Sequence, residues 1–115
     1  MDTPKLIPLS GGSAEDSAES LRELECDTLA RTLWGEARGE GSGGMQAVAY
    51  VILNRVAHAK KMNGYWWGNT ILEVCHKPFQ FSCWNSSDPN YRKLLSVDEE
   101  DLYFVTARRV ATRAL

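Results

Sequence analysis

Two glutamates four residues apart, Glu36 and Glu40, are the side chains in this chain whose setting best suits acid chemistry. An apolar helical pattern leads into the stretch Leu33–Gly41, and the glycines there interrupt the helix. Glu36 is therefore expected at the end of a packed helix. A carboxylic acid placed there could protonate the leaving oxygen of a glycosidic bond, provided that its neighbours shield it partly from water. The alternative is a glycine-rich turn with solvated glutamates, and position alone favours that alternative.

Whether Glu36 and Glu40 act as a pair depends on the backbone between them. On a continued helix the two carboxylates would be neighbours, and a retaining two-carboxylate mechanism needs about 5–5.5 Å between them. Gly39 and Gly41 argue against a continued helix, so the spacing does not fix a pair. Glu40 is better interpreted as a residue that caps or braces the loop at the edge of a substrate site.

A second group of residues has the composition of a saccharide site. Sugars bind by stacking their apolar faces on aromatic rings and by hydrogen bonds to their hydroxyl and acetamido groups. Small polar side chains lie beside two large aromatic rings in one segment, at Gln80, Phe81, Ser82, Trp84 and Asn85. An ordinary aromatic core with polar residues on its wet face explains the same composition equally well.

Composition and charge exclude several classes of function. The chain has 115 residues, enough for one hydrophobic core, and a net charge of −2. Residues 1–26 carry six acids and two bases, whereas residues 27–115 carry nine acids and eleven bases. The second part is therefore nearly neutral and has no basic stripe that would indicate nucleic acid. No apolar run in the sequence is long enough to span a membrane.

Three cysteines, Cys26, Cys75 and Cys83, leave one unpaired in any intramolecular arrangement. Cys75 and Cys83 are close enough in sequence to close a small disulfide loop. With His76 they could also suggest zinc, but the chain has no CxxC pair, so we expect no metal site. No residue pattern indicates a cofactor, and we expect none.

The N-terminal residues 1–26 read as a flexible acidic tail, in which the run 13–25 could form a helix. Two prolines interrupt the first nine residues, and no apolar core of a signal peptide is visible. We therefore expect a cytoplasmic protein until it is released or exported, with a phage or prophage origin as one route. Residues 27–115 are predicted to form the single folded domain.

Within that domain the sequence predicts two helices around the glutamates. Asp27 could cap a first helix that the glycines end after Ala37. A second helix over 44–60 has the clearest 3.6-residue repeat in the chain, formed by Met45, Val48, Ala49, Ile52 and Val56.

The later part of the domain is predicted to contain a short hairpin and a last helix. Alternating apolar and polar residues over 79–84 are typical of a strand or hairpin arm. Ser96 and Glu99 have capping-box spacing, which predicts a helix from there to the end. Its buried face would consist of Phe104, Ala107, Ala111 and Leu115. No stop signal precedes Leu115, so we expect this helix to be cut short.

Four blocks of residues, in this order, resemble the SleB-type cell wall hydrolases. They are Leu29–Glu40, Gly44–Val56, Asn69–Ile71 and Pro78–Asn85, and the resemblance covers about residues 28–115. It implies an α+β, mostly helical, lysozyme-like domain with a short β-hairpin segment. Members continue past the last helix to a segment with an Ala-Thr-His-like motif, so the resemblance also implies a domain truncated at its C-terminus.

The activity that the resemblance implies is cleavage of peptidoglycan glycan strands at the β-1,4 bond between N-acetylmuramic acid and N-acetylglucosamine. Glu36 carries over as the single catalytic acid and base, without a metal, and Gln80-Phe81-Ser82 as the groove wall opposite it. A lytic transglycosylase would give a 1,6-anhydro product, and attack by water would give simple hydrolysis.

Two other classes of function stay open on the sequence. A non-catalytic peptidoglycan-binding module would keep the fold with an incomplete site; the absent C-terminal segment favours it and the intact glutamate block opposes it. A phage-tail structural protein could carry the same domain for local penetration of the wall.

Overall fold

The computed structural model describes residues 14–115, and the part of the predicted tail before residue 14 lies outside this range. Five α-helices occur in the described residues: α1 Ala14–Ala37, α2 Gly41–Lys61, α3 Ile71–His76, α4 Tyr91–Ser96 and α5 Leu102–Ala114. Two short 3-10 helices lie between them, at Arg38–Glu40 and Ser82–Trp84. Residues 14–115 contain no β-strand, so the predicted α+β, lysozyme-like class with a β-hairpin is wrong.

The predicted hairpin arm is a pair of turns. The N–H of Gln80 donates to the carbonyl of Lys77, and the N–H of Trp84 donates to that of Phe81, both at 3.1 Å. Phe79 has a φ of 69°, a left-handed conformation that does not fit a strand. The backbone of this segment therefore satisfies its hydrogen bonds locally instead of pairing with a neighbouring strand.

The first helix begins at Ala14, well before Asp27, which we predicted as its cap. Residues 14–24 of α1 are exposed, and burial begins after them, where the apolar repeat starts. Asp27 lies inside the helix, where its Oδ2 lies 2.8 Å from Nε of Arg31. The division of the chain at residue 26 stays a prediction.

The predicted second helix is confirmed, with α2 covering Gly41–Lys61. The residues that define its repeat are buried or pack partly buried against the core: Met45, Val48, Ala49, Ile52 and Val56. Beyond its end Asn63 is left-handed, with a φ of 60°, and the N–H of Gly64 donates to the Ala59 carbonyl at 2.7 Å. This Asn-Gly pair satisfies the last carbonyls of the helix and turns the chain away from it.

The hydrophobic core forms where the second half of α1 packs against α5, and α1 also contacts α2, α3 and α4. Among its largest fully buried side chains are Trp34, Phe104, Leu29 and Leu33. Burying each of them contributes about 1.5–3 kcal/mol to folding. Near the N-terminal end of this packing, the sulfur of Cys26 lies 3.5 Å from the hydroxyl of Thr112, 86 positions later in the chain.

The last helix starts later than its predicted capping box. Ser96 is the final residue of α4, whereas Asp101 caps α5 by accepting a hydrogen bond from the Tyr103 N–H at 2.9 Å. The predicted buried positions Phe104, Ala107 and Ala111 are buried, but Leu115 is 52% exposed. None of the helices in residues 14–115 is long and apolar enough to cross a membrane.

Candidate active site

Glu36 lies in the last turn of α1 with its side chain partly buried. Its Oε2 accepts a hydrogen bond from the backbone N–H of Cys83 at 3.3 Å, although the two residues are 47 positions apart. The thiol of Cys83 hydrogen-bonds to the same carboxylate. The end of α1 and the 3-10 helix Ser82–Trp84 therefore meet at Glu36.

The close approach of these two elements depends on Gly35. A Cβ at this position would lie 2.6 Å from Cβ of Cys83 and 2.8 Å from its sulfur, closer than such atoms can come. The absence of a side chain at Gly35 thus lets the Cys83 backbone reach Glu36. We predicted that the glycines of this stretch end the helix; Gly35 instead lies inside α1 and makes room for Cys83.

Trp84 is fixed by a buried hydroxyl one turn before Glu36. Its indole Nε1 donates to Oγ1 of Thr32 at 2.9 Å, and that hydroxyl donates to the Thr28 carbonyl at 2.8 Å. Thr32 is fully buried, so these partners replace the water that its hydroxyl would otherwise bind. The Trp84 ring also contacts His76. The two rings meet edge-on, with 4.5 Å between their centroids.

Gln80 and Phe81 are held by Arg55 of α2. Its Nη1 donates to Oε1 of Gln80 at 3.2 Å, and its guanidinium carbon lies 5.6 Å from the Phe81 ring centroid. No acid pairs with Arg55 in the described residues. One feature of the sequence could have indicated this position of Arg55. Its neighbour Val56 faces the core, so the Cβ of Arg55 is expected near the core as well.

The remaining predicted site residues differ in their surroundings. Ser82 is exposed, and Asn85 is partly buried with its N–H donating to the Ser82 carbonyl at 2.9 Å. Glu40 is exposed and packs against Gly44, where an added Cβ would lie 2.5 Å from that of Glu40. A bracing role for Glu40 at the start of α2 fits this packing.

Both cysteines near the site are protonated at neutral pH. Burial raises the pKa of the Cys83 thiol far above its usual range, and its hydrogen bond to Glu36 raises it further. Burial also raises the pKa of Cys75 to about 11, although a hydrogen bond to Thr32 acts in the opposite direction. Cys26, Cys75 and Cys83 are all free, so the candidate disulfide between Cys75 and Cys83 is not formed.

At least three clefts of the described residues lie outside the surroundings of Glu36, and one of about 430 Å³ is lined by residues of α2 and by Trp67. One of about 440 Å³ lies between α2 and α5, with Tyr50 and Arg109 on its walls. Another of about 370 Å³ lies beside α3 and is bordered by Trp66 and His76. Among the described residues, no three His, Cys, Asp or Glu side chains converge to hold a metal ion.

Comparison with protein families gives one finding for this chain. The family model described as Cell Wall Hydrolase matches residues 39–115, about two thirds of the sequence. The matched part contains α2 to α5 and the 3-10 helix Ser82–Trp84, and it begins three residues after Glu36. The chain belongs to the cell wall hydrolase family.

As a cell wall hydrolase, the protein is an enzyme that acts on the cell wall, with peptidoglycan as its substrate. The resemblance to cell wall hydrolases predicted from four sequence blocks is confirmed. Neither the curated proteins nor the solved structures compared with the chain gave a match. The catalytic role of Glu36 and the binding role of residues 80–85 stay predictions.

Proposed function

We propose that this cell wall hydrolase is a lytic transglycosylase that cuts the β-1,4 bond between N-acetylmuramic acid and N-acetylglucosamine, with Glu36 as its single acid and base. The observation that carries the proposal is the hydrogen bond from the Cys83 N–H to the Glu36 carboxylate at 3.3 Å. It joins a partly buried acid to the polar and aromatic segment 80–85, which is the combination that a saccharide site needs.

The reaction needs one carboxyl group used twice. Protonated Glu36 gives its proton to the glycosidic oxygen as the bond from that oxygen to the muramyl C1 breaks. The carboxylate that results takes the proton of the muramyl 6-hydroxyl, whose oxygen bonds to C1 and closes the 1,6-anhydro ring. Glu36 ends protonated again and no water is consumed, so the mechanism does not require Glu40.

The Cys83 backbone supports the step between these two proton transfers. In that interval Glu36 carries a negative charge, and the N–H and S–H of Cys83 are both donors to its carboxylate. Hydrogen bonds to the charged form of a carboxyl group stabilise that form. Because Cys83 is held against Gly35, the donors are in place before the charge appears, which is the condition for efficient electrostatic stabilisation.

The segment 80–85 divides into supporting and sugar-binding residues. Phe81 is buried and Gln80 is bonded to Arg55, so both hold the segment in place. Trp84 and Asn85 are partly exposed and Ser82 is exposed, and these three present one aromatic face and two polar groups to a glycan.

The test of the activity is to incubate the purified protein with peptidoglycan sacculi and identify the soluble products by mass spectrometry. A transglycosylase releases muropeptides that end in 1,6-anhydro-muramic acid. Products with reducing muramic acid ends would instead assign simple hydrolysis, and release of peptides alone would place the cleavage outside the glycan strand.

Glu36→Gln tests the residue assignment, and Glu40→Gln is the matched control. Glutamine keeps the size of the side chain but has no proton to give, so we expect product release to fall by at least about 10²–10⁴-fold for Glu36→Gln. Glu40→Gln should keep most of the activity, since Glu40 is exposed. Both variants should unfold at the wild-type temperature; full activity of Glu36→Gln would remove Glu36 from the mechanism.

A further inference from the structure

An exposed aromatic cluster next to α3 has no part in the mechanism above. It consists of Tyr65, Trp66 and Trp67, with ring centroids 4.5–6.4 Å apart. Trp67 anchors the cluster, because its Nε1 donates to the Arg55 carbonyl at 2.9 Å. Trp66 and Tyr65 are 59% and 38% exposed. Large aromatic faces left open to water in this way are a common feature of binding surfaces.

The cleft of about 370 Å³ lies between this cluster and the end of α3, where His76 borders it. Besides His76, three polar side chains line it: Asn69, whose Oδ1 accepts from the Tyr65 N–H, Glu73, whose Oε1 accepts from the Asn69 N–H at 2.7 Å, and Lys77. The amide nitrogen of Asn69 and the second oxygen of Glu73 have no hydrogen-bond partner in residues 14–115. The cleft thus combines aromatic faces with a free amide donor, a free carboxylate oxygen and the ammonium group of Lys77.

Phe79 is a further aromatic residue near the cleft, and no part of the described chain covers its ring. It follows Pro78, which borders the cleft, and it is 90% exposed. Its φ of 69° is an unfavourable conformation for a bulky residue. A strained backbone that directs an apolar ring into water is expected where that ring serves a ligand.

The cleft is continuous with the candidate active site through one residue. His76 borders the cleft on one side and meets the ring of Trp84 edge-on on the other, at 4.5 Å between centroids. Trp84 is in turn bonded to Thr32, one turn before Glu36 in α1. A ligand chain that passes over Trp84 can therefore reach the cleft without leaving the surface.

We propose that this cleft is a second saccharide subsite, which holds the glycan strand at a distance from the bond that is cut. Aromatic faces match the apolar faces of pyranose rings, and the free groups of Asn69 and Glu73 match hydroxyl and acetamido groups. An anionic phospholipid surface fits less well, because the lining carries one carboxylate, Glu73, beside one ammonium group, Lys77, and so lacks the cluster of cationic side chains that such a surface attracts. The proposal rests on the proposed function in taking a glycan as the ligand, but not in the role of Glu36.

The experiment measures glycan binding with the cleavage step removed. In the Glu36→Gln protein, Trp66→Ala should weaken binding to a soluble hexamer of β-1,4-linked N-acetylglucosamine roughly tenfold, the usual effect of truncating a central aromatic contact. Tyr103→Ala is the matched control, because Tyr103 is similarly exposed (57%) on the remote helix α5. Trp66→Phe keeps an aromatic face and should restore most of the affinity, whereas a folding defect would not respond to this exchange.

In the active protein the same substitution should separate binding from chemistry. Trp66→Ala should raise KM for sacculi and leave kcat near the wild-type value, because the contact is made equally in the ground state and the transition state.

Equal affinities of the Trp66→Ala and Tyr103→Ala proteins for the hexamer would overturn the proposal. Loss of binding to anionic phospholipid vesicles, with hexamer binding intact, would overturn it in favour of a membrane surface. If the wild type releases no anhydro-muropeptides but hexamer binding still depends on Trp66, the proposed function fails and the subsite stands.

Discussion

At the scale of the residue, the candidate site depends on a single hydroxyl group. Thr32 is fully buried, donates to the Thr28 carbonyl and accepts from the Trp84 indole. The Trp84 N–H can only donate, so the Thr32 oxygen faces it as an acceptor, and Cys75 is a further hydrogen-bond partner of the same hydroxyl. The orientation of the Trp84 ring follows from this contact together with the edge-on contact with His76.

Replacing Thr32 by valine should test this contact. Valine keeps the shape of the side chain but removes the acceptor, so the Trp84 N–H loses its partner and the free energy of unfolding should fall by about 1–3 kcal/mol. Urea unfolding measures the change. Thr32→Ser retains the hydroxyl and should lose less, since it removes one methyl group; equal losses in the two variants would attribute the effect to packing and not to the hydrogen bond.

Other residue-scale features of the site could be predicted only in part. Glu36 and the segment 80–85 stand out from their types and from their order in the family blocks. The donation from Cys83 to Glu36 could not be predicted, because it joins residues 47 positions apart and depends on how closely two elements pack. The same reason applies to Arg55, whose partner Gln80 lies 25 positions away.

At the scale of the element, the contact between α1 and the 3-10 helix Ser82–Trp84 depends on the missing side chain of Gly35. Gly35→Ala would bring a Cβ to 2.6 Å from that of Cys83, so one of the two elements must move. We expect a loss of about 1–3 kcal/mol in stability, as for other overpacked sites. Activity on sacculi should fall further than stability explains, because the Cys83 N–H moves away from Glu36.

Gly43→Ala is the control for this prediction. Nothing lies within 4 Å of a Cβ added at Gly43, which is in the first turn of α2. Alanine is the better helix former by up to about 1 kcal/mol, so this variant should be as stable as the wild type or slightly more stable. Thermal unfolding of the two variants side by side gives the comparison; equal stability of Gly35→Ala and Gly43→Ala would contradict the close approach.

The helices could be predicted where the apolar repeat coincides with burial. For α2 the repeat continues over the whole element, and both ends are predicted to within about three residues. For α1 the repeat starts after Asp27, because residues 14–24 are exposed and their sequence therefore carries no apolar face. The helix itself continues through this polar half, as we considered possible for the run 13–25, and it joins the helix that we predicted from Asp27.

The predicted hairpin arm has a physical explanation of the same kind. Phe81 and Cys83 are buried and Ser82 between them is exposed, so part of the alternation that we interpreted as a strand is real, whereas Phe79 is 90% exposed and does not follow it. An alternation over six residues describes which side chains face the core, but it does not describe the partners of the backbone. Here those partners are carbonyls three residues away, and the segment is a series of turns.

At the scale of the whole molecule, Arg31 of α1 connects three helices. Its Nη1 donates to the carbonyls of Leu94 and Val97 at the end of α4, at 2.7 and 2.9 Å. Its guanidinium carbon lies 5.0 Å from the ring centroid of Phe104 in α5. The ion pair with Asp27 is partly exposed and should contribute little. The contribution of Arg31 to stability is therefore expected to come mainly from its hydrogen bonds to the Leu94 and Val97 carbonyls.

Arg31→Ala should lower the free energy of unfolding by about 2–3 kcal/mol, because it leaves the carbonyls at the end of α4 without their charged donor. Arg92→Ala is the control, since Arg92 is exposed and its substitution should change stability by at most about 0.5 kcal/mol. Chemical denaturation of both variants measures the difference. Arg31→Lys keeps the charge but not the fork of donors and should lie between them; a wild-type value for Arg31→Ala would contradict the bridging role.

The packing of α1 on α5 also has a consequence for the time at which the fold can form. Contacts such as that of Cys26 with Thr112 join residues 86 positions apart, so they can form only after α5 has been synthesised. When only α1 to α4 have been synthesised, the face of α1 that carries Leu29 and Leu33 still lacks its α5 partner. The core between α1 and α5 therefore cannot be completed until α5 has emerged from the ribosome, because most of its contacts join distant parts of the chain.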